Sequence, residues 1–224
     1  MGNATSKVEL FEQLARVGKA LGSGKRLELL DLLAQGQRSV ADIAVVAGIA
    51  LTTTSAHLQI LKQAGLVATT RDGTTIRYRL ADLDVAALYA QLRTVAAAHL
   101  PDVDVARDRY LGVTDGPGTS QITHEELLRR VQVGEVVVLD VRPTLEYIAG
   151  HIPGAVSIPL GELPDRFSEL PVHLEVVAYC RSAYCVFAHD AVRLLTAYGR
   201  GAVRLADGML EWRLADQPVV TGPA

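Results

Sequence analysis

Residues 136–141 and 175–179 form two apolar runs, interrupted only by Asp140 in the first and opened by Glu175 in the second, and they narrow the folds open to this chain more than any other feature. Neither run alternates with polar positions, which is the pattern of a strand buried on both faces in a helix-covered parallel sheet. The flanking segments agree. Residues 122–131 have helical spacing, with Thr123 as the cap and Glu126 three positions later. Residues 187–198 read as a further helix and residues 202–205 as a short last strand. An open α/β layer places its site at the C-terminal ends of its strands. There the second run leads directly into Cys180-Arg181-Ser182-Ala183-Tyr184-Cys185, which holds both cysteines of the 224-residue chain.

A thiol between a buried strand and a helix start meets main-chain N–H groups and the positive helix end, which favour the thiolate. In this reading Cys180 is the nucleophile, the alternative being that both cysteines are small buried hydrophobes. Arg181, Ser182, Ala183 and Tyr184 form the cradle, and Arg181 adds positive charge at its mouth. Two thiols with no second cysteine pair supply too few ligands for a zinc site. No apolar run approaches the roughly 18 residues that a membrane span needs. The N-terminus also lacks a charged-then-apolar signal pattern. The chain is therefore expected to be cytoplasmic, its cysteines resting as thiols.

The first half has a different period. Residues 8–21, 26–33, 40–47 and 52–64 repeat at helical spacing, with Ser39 as a cap and Gly48 and Gly65 as stops. Residues 66–70 and 75–80 are short and β-branched, and Asp72-Gly73 between them is a hairpin signal. A long helix follows to His99. The cluster between Pro101 and Thr119 is expected to be a linker, separating a domain at 1–100 from one at 120–224. Charge divides in the same place. Residues 1–100 hold four Lys and seven Arg against eight acids, a net +3, while 101–224 hold eleven Arg and no Lys against 17 acids, a net −6.

Helix, tight turn, helix and hairpin is the order of a winged helix-turn-helix, whose second helix enters the major groove. The segment opening at Thr52 offers Thr52, Thr53, Ser55, Ala56, His57 and Gln59 to bases or phosphates. Arg71, Arg77 and Arg79 on the hairpin suit phosphate contacts. Three segments carry a family resemblance: residues 20–27 (ALGSGKRL), 39–44 (SVADIA) and 57–67 (HLQILKQAGLV). With the wing from Arg71-Asp72-Gly73 to Tyr78-Arg79-Leu80, this half resembles an ArsR-type bacterial repressor. The resemblance implies a homodimer on a palindromic, double-stranded operator, held by the first helix and the helix ending near His99. Many members of that family sense metals through cysteines before the recognition helix. Here residues 40–44 carry no thiol, and His99 with Asp102 and Asp104 is all the last helix offers. No metal and no cofactor is expected.

The second half resembles a rhodanese domain. Leu139-Asp140-Val141-Arg142, the stretch from Glu146 to Ala155, Tyr179-Cys180-Arg181-Ser182 and the stretch from Asp207 to Trp212 stand in that family's order. By this resemblance Cys180 accepts a sulfane sulfur as a persulfide. The remaining motif residues are structural, with Asp140 and Arg142 as a buried pair. The six-residue loop lacks the terminal Arg with which related phosphatases grip an oxyanion. Cys185 stands where many rhodaneses have Arg, and is a candidate resolving thiol for a persulfide or an oxidised Cys180.

Together these features predict a two-domain chain, a mainly α winged helix-turn-helix followed by an α/β rhodanese-like domain with a parallel sheet. The expected function is a repressor that reads sulfane sulfur or thiol oxidation through Cys180, its donor a thiosulfate or a persulfide. One alternative is a sulfurtransferase enzyme with Cys180 as carrier. The other is an arsenic or thiophilic-metal sensor using Cys180 and Cys185.

Overall fold

The structure is a computed structural model and describes residues 4–112 and 120–223. The chain divides into two compact units, Met1–Tyr89 and Ala90–Ala224.

In the first unit, helices α1 (Ala4–Leu21), α2 (Gly24–Leu33), α3 (Val40–Ala47) and α4 (Leu51–Gln63) follow one another. A three-stranded antiparallel sheet of β1 (Arg38–Ser39), β2 (Val67–Asp72) and β3 (Thr75–Leu80) has the order β1-β3-β2. The sequence expects all of these but the two-residue β1, which is too short to show a period. Ser39 caps α3 as expected: its hydroxyl accepts the Asp42 N–H at 3.1 Å while Asp42 accepts the Ser39 N–H. Gly48, at φ +62°, closes α3 in the left-handed conformation that a residue without Cβ adopts cheaply. α3 and α4 then cross at 111°, the angle of a helix-turn-helix. Leu29, Leu30, Ile43, Leu58, Leu61 and Tyr78 fill the space between the helices and the sheet.

Helix α5 (Leu83–His99) begins in the first unit and ends in the second. Next comes α6 (Pro101–Leu111), where the sequence reading expects linker. Its turn formers are compatible with a helix start. Pro101 sits in the first turn, where its missing N–H costs nothing, and Asp102 and Asp104 face the positive end of the helix. Arg193 holds the other end, donating to the Leu111 and Gly112 carbonyls at 2.7 and 2.9 Å. The turn cluster from Asp115 to Thr119 lies outside the described residues.

The rest of the second unit is β4 (Gln121–Ile122), α7 (His124–Gln132), β5 (Val136–Asp140), α8 (Thr144–Ala149), β6 (Val156–Ser157) and α9 (Leu163–Arg166). It finishes with β7 (Glu175–Tyr179), α10 (Val186–Ala197), β8 (Ala202–Leu205) and α11 (Met209–Leu214). Every pairing in its five-stranded sheet is parallel, and the order is β4-β8-β7-β5-β6. β5 and β7 lie side by side in the middle. Alternate residues of each serve two apolar clusters, Val138, Val177 and Tyr179 on one face and Val137, Leu139, Val176 and Ala178 on the other. That double burial explains why their sequences do not alternate. Asp140 and Arg142 form the expected buried pair, with Nη2–Oδ2 at 2.5 Å, and Arg142 also donates to the Gly150 carbonyl. The Tyr179 hydroxyl donates to Asp140 and accepts the Ile152 N–H, which ties β5, β7 and the turn at His151 together.

Burial, helped by Arg204 and Arg193 and opposed by Asp190, holds the His189 imidazole of α10 down at about 4 from an ordinary 6.5. Between pH ~6.5 and ~4 the unfolded chain therefore takes a proton that the folded chain refuses, and stability falls as pH falls. Above pH ~6.5 this contribution is level. His189→Gln should flatten that part of the melting-temperature curve, and a curve that the substitution leaves unchanged would refute the assignment.

Candidate functional site

The loop from Cys180 to Cys185 leaves the C-terminal end of the central strand β7 and enters α10, where Cys185 is the N-cap residue. Cys180 itself is buried, within the apolar cluster of Val141, Ile158 and Ala188. Its shape follows from three hydrogen bonds. The Cys185 N–H donates to the Ser182 carbonyl at 3.0 Å, which turns the loop back on itself. The first two N–H groups of α11 take two further loop carbonyls: Met209 donates to Cys180 O and Leu210 to Arg181 O, both at 2.9 Å. A trans peptide points its N–H opposite to its C=O. Fixing those two carbonyls toward α11 therefore turns the N–H groups of Arg181 and Ser182 away from that helix.

Gly208 makes that approach possible. A Cβ on Gly208 would lie 2.4 Å from the Ser182 nitrogen and 2.6 Å from its Cα. Glu211 holds the same turn by accepting the Gly208 N–H at 3.0 Å.

The sequence reading keeps the two cysteines as separate thiols. The structure instead joins them in a disulfide, Cα atoms 6.1 Å apart. The turn at Ser182 accounts for this, since it brings the ends of a six-residue loop within bonding reach. A second correction concerns Arg181. It does not leave an open positive charge at the loop mouth. The Nε–Nη2 edge of its guanidinium engages Glu146 of α8, with Nη2–Oε1 at 2.7 Å and Nε–Oε2 at 2.9 Å, and the Glu146 carboxylate is buried. Arg93, in the part of α5 that belongs to this unit, lies 4.5 Å over the Tyr184 ring and pairs with Glu211 at 2.7 Å. Glu146, Arg93, Gly208 and Glu211 are the site residues that sequence reasoning left without a role. Glu146, Gly208 and Glu211 lie inside the motifs that carry the rhodanese resemblance, so a signal was present. For Arg93 there was none.

In the first unit the recognition helix α4 presents Thr52, Thr53, Ala56 and Gln59 as exposed, with Ser55 and His57 half-buried. Thr54 is buried and donates its hydroxyl to the Ala50 carbonyl. Gln59 also has an internal task, donating to the Tyr78 hydroxyl at 2.9 Å and so setting the helix against the wing. On the wing, Arg71 donates to Gly73 O, Arg77 pairs with Asp72 at 3.1 Å, and Arg79 caps the Leu80 and Ala81 carbonyls. Arg71 and Arg79 keep their charge uncompensated in these contacts, whereas Arg77 shares its charge with a carboxylate.

Comparison with known proteins fits both units. Residues 23–69 match the family described as bacterial regulatory protein, arsR family, and residues 123–215 match the rhodanese-like domain. The chain is 54% identical over 221 residues to the HTH-type transcriptional regulator Rv0324 of Mycobacterium tuberculosis, covering 99% of this chain and 96% of that one. The chain belongs to the ArsR family of bacterial regulatory proteins. It is a transcriptional regulator of that family with a rhodanese-like domain at its C-terminal end. That domain is 32% identical over 102 residues to a sulfurtransferase of Allochromatium vinosum, covering 45% of this chain and 94% of that one. Among solved structures, the homodimeric winged helix-turn-helix DNA-binding domain of a Mycobacterium bovis protein is 53% identical, covers 45% of this chain and 93% of its own, and has a TM-score of 0.42.

Gly208→Ala tests the loop geometry. The added methyl must push Ser182 away or displace α11, a misfit that costs about 1–3 kcal/mol. Urea unfolding followed by circular dichroism should show that loss, along with slower reoxidation of the reduced thiols. An unaltered midpoint would show that α11 does not press on the loop.

Proposed function

We propose that this ArsR-family regulator is a cytoplasmic homodimeric repressor, which binds a palindromic double-stranded operator and is controlled by chemistry at Cys180. In this reading Cys180 takes a sulfane sulfur, or is oxidised, and Cys185 resolves the product to a disulfide. Thr52, Thr53, Ser55, Ala56, His57 and Gln59 face the major groove, and Arg71 and Arg77 face the backbone. The observation that carries the reading is the pairing of the two cysteines inside one loop, whose ring at Tyr184 lies under a guanidinium of α5. Dimerisation is supported by α1, which keeps Val8, Leu10, Phe11 and Leu14 exposed, an apolar surface of the kind that a partner subunit covers.

Arg93 links chemistry to helix position in this scheme. Closing or opening the disulfide moves Tyr184, and Arg93 follows through its contacts with Tyr184 and Glu211. α5 is one continuous helix that starts in the DNA-reading unit. A bias on its second half therefore reaches the first. Coupling of this kind is worth about 1–3 kcal/mol, or roughly 5- to 150-fold in operator affinity.

The sulfurtransferase reading is favoured by a separate observation, the 32% identity to a sulfurtransferase over nearly the whole length of that protein. Catalytic turnover of thiosulfate with cyanide, abolished in Cys180→Ser, would favour it if operator affinity ignored the sulfur state. For the thiophilic-metal reading, the described residues hold no group of three or more His, Cys, Asp and Glu placed to share an ion.

Intact-mass measurement in parallel with operator binding tests the proposal. The reduced protein treated with a sulfane sulfur donor should first gain one sulfur and then lose hydrogen sulfide, ending two hydrogens lighter than it began, and its operator affinity should change by about 5- to 150-fold. Cys180→Ser should show neither change. Arg93→Ala should keep the mass changes and lose most of the affinity response. A Cys180→Ser protein that still responds to the donor would overturn the reading.

A further inference from the structure

The proposal of a sulfur-loaded Cys180 leaves its donor open between thiosulfate, a dianion, and an organic persulfide. Charge around the loop separates them. Arg181 is the loop's own cation, and the buried Glu146 carboxylate meets the Nε–Nη2 edge of its guanidinium, the two side chains only 13% and 1% exposed. Arg93, at the Tyr184 end, is matched by Glu211 with side chains 13% and 18% exposed. Arg107, whose charge is felt at Tyr184, is matched by Asp104 and Asp108. Each of these three guanidinium groups is thus already answered by a carboxylate. The position where many rhodaneses place an Arg holds Cys185, and the chain from 101 to 224 carries a net −6.

Thiosulfate would bring two negative charges to a thiolate and release sulfite, again a dianion. Such a reaction needs uncompensated donors or cations where that charge develops. An organic persulfide needs far less, because one negative charge only moves from the attacking sulfur to the leaving sulfur. The structure also offers room for an organic group. A cavity of about 430 Å³ is lined by Val141, Pro143, Pro159, Leu160 and Phe187, among others. Val141, Leu160 and Phe187 also pack in the apolar cluster that contains Cys180, and Arg181 lies 5.5 Å over the Phe187 ring.

We propose that the Cys180 loop takes its sulfur from a low-charge organic persulfide, R–S–SH, whose R group occupies this cavity, and that Glu146 sets the selectivity by neutralising Arg181. The inference rests on sulfur loading at Cys180. The Cys180 thiolate attacks the outer sulfur of R–S–SH. A bond forms between Cys180 and that sulfur while the R–S to sulfur bond breaks, and R–S⁻ leaves with the electron pair. Cys185, having given its proton to solvent, attacks the inner sulfur of Cys180–S–SH and expels HS⁻. The disulfide that remains is the bonded pair in the structure. The persulfide is the oxidant, and it is reduced to one thiol and one hydrogen sulfide as the two cysteines are oxidised.

The test uses the reduced full-length chain with cysteine persulfide or sodium thiosulfate at equal concentration, each followed by intact mass against time. Cysteine persulfide should load Cys180 at least about tenfold faster than thiosulfate, as expected for a dianion approaching a thiolate whose neighbouring guanidinium groups are already paired. Raising the salt should speed the thiosulfate reaction and leave the persulfide reaction nearly level, because screening relieves repulsion. Glu146→Gln, which keeps the shape and removes the carboxylate charge, should shift the rate ratio toward thiosulfate by about tenfold. If that variant does not fold, the salt series on the parent protein decides. Equal rates with both donors, or a thiosulfate rate that falls with salt, would overturn the donor assignment and leave Cys180 as the sulfur acceptor. Loading by neither donor would overturn the acceptor role itself.

Discussion

The site depends on two hydrogen bonds that carry no side-chain chemistry at all, from the Met209 and Leu210 N–H groups to the carbonyls of Cys180 and Arg181. A helix start has N–H groups that no residue of its own helix can satisfy. α11 spends two of them on the loop, and this fixes which way the loop's peptides face. Had those carbonyls turned inward, Cys180 would sit among acceptors, and a thiolate there would be disfavoured. Gly208 is the residue that allows the contact, because a methyl at that position would overlap Ser182. Glu211 serves both sides of the arrangement, holding the Gly208 turn with one oxygen and Arg93 with the other. A single carboxylate thus joins the base of the loop to the helix that passes its far end.

Electrostatics around the loop follow a consistent rule. Positive charge is present in quantity but is matched locally, Arg181 by Glu146 and Arg93 by Glu211. Buried pairs of this type contribute little net stability once their desolvation is counted, while loss of one partner strands the other. Their value here lies in geometry and in the absence of a free charge. In the proposed scheme, a loop whose own guanidinium is already paired favours a single negative sulfur over a multiply charged oxyanion. The same argument separates this loop from phosphate-binding loops, which end in a guanidinium aimed at the ligand. The sequence shows that difference at Cys185, and the pairing of Arg181 extends it.

The parts of the fold legible in the sequence are those written in local periods. Helices at 40–47 and 83–99, the hairpin around Asp72-Gly73, and the central strands β5 and β7 all carry their signal within a few residues. The Ser39 and Thr123 caps do too. What escaped is of two kinds. Short elements such as β1, β4 and β6 have two residues each and no period to read, existing only because a neighbouring strand supplies their partners. Residues 101–111 escaped because Pro and Asp mark both a turn and the first turn of a helix, and the contact at the helix's other end comes from Arg193, far along the chain. The site partners belong to the same class. Arg181 and Glu146 are 35 residues apart and Arg93 and Glu211 are 118 apart, so no window of sequence shows that they meet. Cys180 was visible because chemistry attaches to a residue type, whereas charge compensation attaches to a pair.

A DNA reader needs a source of free energy to change its affinity, and in the proposed scheme the loop's thiols supply it. A bound metal acts through an equilibrium, so its signal fades as fast as the ion dissociates. A disulfide is held by a covalent bond whose lifetime depends on attack by another thiol, and exchange is slow when the sulfur is shielded. Cys180 is buried and Cys185 is partly so, which restricts that attack. In the proposed scheme the regulator therefore integrates exposure to its donor over time, and the cellular thiol pool resets it. Selection of an organic persulfide fits such a device, because that donor both loads the sulfur and supplies the oxidising equivalents that close the pair. A dianionic donor with no cation to receive it would deliver neither at a useful rate.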